Sequence, residues 1–254
     1  MRRETRAVLL VLVGAALLHL SLFSDLCLRY VRATLRPYLV TTGALLVLLG
    51  LASALAVLRA LRGGHDDHEH GRAPDPEHDD GHGHGPGGPR IAWLLVLPVA
   101  AVFLVAPQAL GAYTAQRTAA TPVRPATADT GFPALAAGDP LVMTVNYFDI
   151  RALWDTSKSL QGRRVQLTGF ATPDPAGGWD LTRLTITCCA ADARASKVRV
   201  TGAAAPREGT WVRVVGSWQP PATPTPSDDD TDPPIPQLTA QQLTEIPQPA
   251  DPYE

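Results

Sequence analysis

Cysteine is scarce, three in 254 residues, too few for the disulfide framework that staples small secreted domains. Lysine is scarcer: Lys158 and Lys197 are the only two, so arginine supplies 20 of the 22 basic residues (22 − 2). There is no excess of either sign, the formal net charge being −2. After Tyr113 the chain holds 12 Lys+Arg against 15 Asp+Glu, with no basic stripe. That balance lacks the electrostatic footprint of a nucleic-acid reader, so no nucleic-acid partner is expected. Histidine is missing from the whole C-terminal half. No imidazole is therefore available there to activate a thiol, and no C-x-x-C occurs, so thiol oxidoreductase chemistry has little support and the chain reads as a non-enzyme.

What the chain does have is apolar length. Three runs stand out: Ala7 to Phe23, Leu39 to Leu58 and Ile91 to Tyr113. A bilayer core about 30 Å thick needs roughly 20 helical residues. The second and third runs meet this, and the first is short but within range. Arg2, Arg3 and Arg6 also make a fair signal-peptide start, yet no A-x-A site follows Phe23. Leu28 to Tyr38 reads instead as the turn of a helical hairpin. Three spans are expected, in a multi-pass protein of the cell membrane. The basic residues on the N-terminal side (Arg2, Arg3, Arg6, Arg59, Arg62, Arg72, Arg90) outnumber those opposite (Arg29, Arg32, Arg36, Arg117, Arg124). Positive charge stays inside, so the C-terminal domain is expected outside the cytoplasm. His19 is the only titratable side chain within a span.

Between the second and third runs the composition changes abruptly. Residues 63–90 carry His65, His68, His70, His78, His82 and His84, interleaved with Asp66, Asp67, Glu69, Asp75, Glu77, Asp79 and Asp80. Glycine and proline exclude a stable helix, so these donors form no rigid face. Imidazoles with carboxylates suit borderline divalent metals, Zn²⁺ or Ni²⁺ above all. Gathering them orders a flexible loop at about 1–2 kcal/mol per residue. The expectation is loose binding of more than one ion, weakened as the imidazoles protonate. A solvated low-complexity spacer has the same composition.

Ala115 to Pro140, rich in alanine, threonine and proline, reads as a linker. Beyond it the period changes to two. Strands are expected at Leu141 to Val145, from Val165 into Phe170, at Trp179 to Thr187, around Val198 and Val200, at Thr210 to Trp218 and at Gln237 to Ile246, with a short helix within Asn146 to Leu160. Short strands at this density suggest a small all-β barrel of OB type. The expected plan is therefore a hairpin at 1–62, a His/Asp-rich loop at 63–90, a third helix at 91–113, a linker at 114–140 and an OB-like domain at 141–254. Thr223 to Pro236, with Asp228, Asp229, Asp230 and Asp232, reads as a solvated excursion.

Cys188 and Cys189 follow the strand ending at Thr187, with Asp192 three residues on. Adjacent residues on a strand point to opposite faces. The two thiols can share one metal only if the chain bends there, and then Cys188, Cys189 and Asp192 become candidate ligands. Otherwise one cysteine is buried and the other partly exposed.

The N-terminal hairpin, Gly162-Arg163-Arg164-Val165 leading to Gly169-Phe170, and Thr182-Arg183 before Thr187-Cys188-Cys189-Ala190-Ala191-Asp192-Ala193 together resemble the YcgQ-like bacterial membrane proteins. So do Trp211-Val212 with Gly216 and the ending Ile246-Pro247 to Pro252-Tyr253. The resemblance implies an accessory, non-catalytic subunit of a permease, with a polytopic permease of the YcgR type and the lipid bilayer as its partners. The residues leave two alternatives: a membrane-anchored thiol or metal chaperone acting through Cys188 and Cys189, and a structural envelope protein whose β-domain binds other proteins.

Overall fold

The computed structural model describes residues 3–62, 97, 108–118, 125, 131–175, 177–220 and 234–254. They fall into two compact units. One comprises Met1–Cys27 and Thr34–Pro107, the other Leu28–Ala33 and Gln108–Glu254.

The first unit is built on helices α1 (Arg3–Leu22) and α2 (Arg36–Arg62). Small residues set their spacing. A Cβ on Gly14 would stand 2.7 Å from the Gly43 carbonyl, and one on Gly50 would stand 3.0 Å from that of Ala7. Where helices cannot gain by hiding apolar surface from lipid, such close backbone approach supplies the packing. The turn is tied by the Arg36 guanidinium, which donates to the Ser21 carbonyl at 2.6 Å. Leu45, Leu48, Leu49 and Leu55 face outward and exposed. His19 stacks on Phe23, with ring centroids 5.9 Å apart.

The expectation of three spans is corrected. Among the described residues one helix is long and apolar enough to cross a membrane, Ala33–Arg59, beside a shorter apolar helix, Arg6–Leu22. Residues 108–113, the end of the expected third span, belong to the second unit. There Ala109, Leu110 and Ala112 pack against the cluster around Phe170. Helix α3 (Ala112–Arg117) then runs into the expected linker, with Ala115 fully buried. An apolar run signals burial without saying whether lipid or protein does the burying. The remainder of that run, apart from Leu97, and the whole loop 63–90 lie outside the described residues.

The second unit is a mixed sheet of β1 (Leu141–Val142), β2 (Arg164–Pro173), β3 (Trp179–Thr185), β4 (Arg194–Thr201), β5 (Trp211–Gln219) and β6 (Gln237–Glu245). The order is β1-β2-β3-β4-β6-β5, with β2 pairing also with β5. The expected all-β OB-like barrel is corrected to this six-stranded mixed sheet. Two of its pairings, β1–β2 and β4–β6, are parallel, and helix α4 (Val145–Trp154) packs into its core through Val145, Phe148 and Ala152. Alternation along a strand reports which face is buried; it is silent on partner and direction. The expected first strand is also shorter, because α4 begins at Val145.

Two apolar clusters fill the unit. The larger joins Val165, Leu167, Leu181, Val198, Val212, Val214 and Leu238 to α4. The smaller gathers Phe170, Leu184, Ile186, Trp211 and Tyr253 against α3. Gly169 lets β2 pass close to β3, since a Cβ there would lie 2.5 Å from the Thr182 carbonyl oxygen.

Candidate functional site

Strand β3 stops at Thr185, and the chain turns through Ile186 to Cys189 into a short 3₁₀ turn, η1 (Ala190–Asp192). That bend decides the cysteine question left open by the sequence. Off the pleat, the two sulfurs no longer diverge: Cys188 Sγ lies 3.5 Å from Cys189 Sγ. Both are free thiols, Cys188 exposed and Cys189 half-buried. With an Asp192 carboxylate oxygen they lie within 4.8 Å of one another. The three residues singled out by sequence are therefore brought together.

Asp192 holds the loop in shape. One carboxylate oxygen accepts from the Thr187 amide at 2.9 Å, and the other from the amides of Cys188 at 2.8 Å and Cys189 at 3.4 Å. The Cys188 thiol and these amides hold the Asp192 carboxyl down at about 2. The same contact, together with the neighbouring Cys189, pushes the Cys188 thiol up to about 12. The proton thus sits on sulfur, under a carboxylate that stays ionised.

A second segment closes the loop from the side. Residues 28–33, which join the two apolar helices in sequence, are part of this unit. Arg32 N–H donates to the Cys188 carbonyl at 3.2 Å, and Ala190 N–H donates to the Tyr30 carbonyl at 2.7 Å. Val31 faces Cys189 as an antiparallel bridge. Tyr253 braces the same segment: its hydroxyl donates to the Arg29 carbonyl at 2.8 Å and accepts from Leu110 N–H at 3.0 Å.

Beneath this surface lies a buried charge that sequence reasoning missed. The Arg183 guanidinium stands 4.7 Å over the Trp211 ring and donates to the carbonyls of Asp251 and Tyr253 at 3.0 and 3.3 Å. Its Nε lies 3.9 Å from the Glu254 carboxylate. Glu254 in turn accepts from the amides of Val145 and Asn146 at 2.9 and 3.0 Å. It so satisfies free N–H groups at the start of α4 beside the Thr144 cap. Burial pushes the Glu254 carboxyl up, opposed by the two amides and by Arg183. The signal was present: in β3, Arg183 falls in phase with Trp179 and Leu181, both buried. Asp149, also buried, carries the same kind of signal, for in α4 it falls in helical phase with Val145, Ala152 and Leu153.

The six histidines of the loop, His65, His68, His70, His78, His82 and His84, lie outside the described residues. No curated protein and no solved structure matches the chain. Residues 139–254, which hold the sheet, the Cys188–Cys189 loop and the Arg183–Glu254 pair, match the family model of the DUF1980 C-terminal domain.

Proposed function

We propose that this protein is a non-catalytic, multi-pass membrane subunit that works beside a polytopic permease and presents its sheet domain outside the cytoplasm. One observation carries the reading: residues 28–33, between the two apolar helices, are built into the domain that bears Cys188 and Cys189. Arg2, Arg3, Arg6, Arg59 and Arg62 flank the outer ends of the hairpin, against Arg29, Arg32 and Arg36 at its turn. By the positive-inside rule the turn, and the domain with it, faces away from the cytoplasm. The exposed leucines of α2 supply a surface for lipid or for a partner's helices. The resemblance to YcgQ-like proteins names the partner as a YcgR-type permease, and the matched C-terminal domain is compatible with it. The histidine loop after α2 would then be a loose Zn²⁺ or Ni²⁺ store.

A second reading has its own support. The convergence of Cys188, Cys189 and Asp192 suits a membrane-anchored metal or thiol chaperone that acts alone. Mild detergent extraction from native membranes, with affinity capture and mass spectrometry, separates the two. The subunit reading expects a polytopic permease in near-equal amount. Capture of this chain without a permease would contradict it and leave the chaperone reading.

A further inference from the structure

We propose that Cys188, Cys189 and Asp192 bind a single thiophilic divalent cation of the Zn²⁺ and Cd²⁺ class, on the face of the domain that is paired to residues 28–33. The inference deepens the proposed function by giving the domain a cargo class, and it rests on that reading only for its physiological use.

Two thiols and one carboxylate form a donor set that favours soft and borderline cations over Mg²⁺ or Ca²⁺. The spacing fits. Tetrahedral Zn²⁺ with sulfur ligands at about 2.3 Å sets its sulfurs about 3.8 Å apart. The observed separation is 3.5 Å, and the donors all lie within 4.8 Å. Closing them on one ion needs an approach of at most roughly 1 Å, a side-chain rotation on an exposed loop.

The other uses of a cysteine pair fit less well. A reactive thiolate needs positive surroundings, whereas Cys188 faces the Asp192 carboxylate and the sulfur of Cys189. A packing role suits a buried cysteine, and Cys188 is exposed. A cation reverses the electrostatic sign at this spot. It takes the place of the two thiol protons, which pass to water. Three protein donors leave a fourth tetrahedral position open. Closed four-ligand sites retain their ion for structure, and an open one suits an ion that arrives and leaves.

The site has a route to the helices. Cys188 and Ala190 each share a backbone hydrogen bond with the segment that leads into α1 and α2. Fixing the loop around an ion therefore fixes residues 30–32 as well.

The test uses the full chain in detergent, with the six loop histidines replaced by asparagine so that they do not compete. Cd²⁺ alone is the probe. One ion per chain is expected, with sulfur-to-cadmium charge-transfer absorption and slower amide exchange at Arg32 and Ala190. Cys188→Ser and Cys189→Ser should each weaken binding at least roughly tenfold, the loss seen even for removal of outer-shell partners. The buried Cys27, as Cys27→Ser, should leave it unchanged. Circular dichroism melts show whether each variant is folded. Absence of the absorption band in folded protein, or its persistence in both Cys188→Ser and Cys189→Ser, overturns the site. Binding with unchanged exchange at Arg32 and Ala190 overturns its link to residues 28–33. Cd²⁺ binding by a chain that captures no permease would contradict the subunit reading alone, and a captured permease without Cd²⁺ binding would contradict this inference alone.

Discussion

In the helical hairpin, Val8, Leu12, Leu45, Leu48 and Leu55 stand largely exposed, while glycines and alanines fill the contact between helices. In the sheet unit Phe148, Leu167, Leu181 and Leu184 are sealed inside, and arginine and carboxylates are buried with them. The same residue types are used in opposite senses. A surface that belongs in lipid gains nothing by hiding leucine, so backbone proximity holds the helices together. A surface in water gains about 25 cal/mol for each Å² of apolar area removed, enough to carry a few buried charges when each is paired. An apolar run alone does not distinguish the two: residues 108–113 close the run from Ile91 to Tyr113, yet Ala109, Leu110 and Ala112 pack in the domain.

The largest effect is expected from Gly169→Val. A branched side chain at the point where a Cβ would meet the Thr182 carbonyl oxygen at 2.5 Å must push two strands apart. A loss above about 4 kcal/mol is expected, enough to unfold a marginal domain. Near-ultraviolet circular dichroism should lose its tertiary signal; a native-like melt would show that β2 and β3 are not in such contact.

Next in size is a matched pair of truncations. Phe148→Ala removes a fully buried ring and should cost about 3–5 kcal/mol. Leu48→Ala, at an exposed position on α2, should change stability by no more than about 0.5 kcal/mol in detergent. Denaturant melts of both variants check this, and similar losses would mean that the Leu48 face is covered by protein.

The smaller effect is a pH dependence. Burial pushes the Asp149 carboxyl up to about 8, against about 3.9 in the unfolded chain. Between those values the folded state holds a proton that the unfolded state has released. Stability therefore falls as pH rises through that window and levels off above it. Asp149→Asn removes the titration. Its unfolding free energy should exceed that of the parent at pH 8 by an amount on the order of 1–3 kcal/mol, and should converge with it toward pH 4. Parallel curves for the two proteins would show that Asp149 is not buried as a neutral acid.

Much of the sheet was legible because apolar and β-branched residues recur with period two. Trp179 to Thr185 alternates in this way although the fold buries both of its faces, and the short helix after Thr144 was marked by Phe148, Ile150 and Trp154. Pairing direction was not legible, since it leaves no period. Nor was the seat of residues 28–33: an isolated bridge between Val31 and Cys189 joins positions far apart in the chain through backbone atoms, which carry no side-chain signature. For the candidate site, residue types gave the three donors, but their convergence depended on where β3 ends. Glu254 as a cap for α4 was invisible for the same reason, because the contact spans most of the domain.

The segment between the apolar helices is part of the domain that carries the cysteine loop. Arg32 N–H bonds the Cys188 carbonyl and Ala190 N–H bonds the Tyr30 carbonyl, so Val31 and Cys189 form a non-hydrogen-bonded antiparallel pair. Such pairs bring Cα atoms to about 4.5 Å, within the range that a disulfide bridges. The measurement is Val31→Cys in a chain that also carries Cys27→Ser and Cys188→Ser, oxidised mildly in native membranes and digested for mass spectrometry. An intrachain disulfide between residues 31 and 189 and the loss of both free thiols are expected. Two free thiols after oxidation, or linkage only between chains, would contradict it.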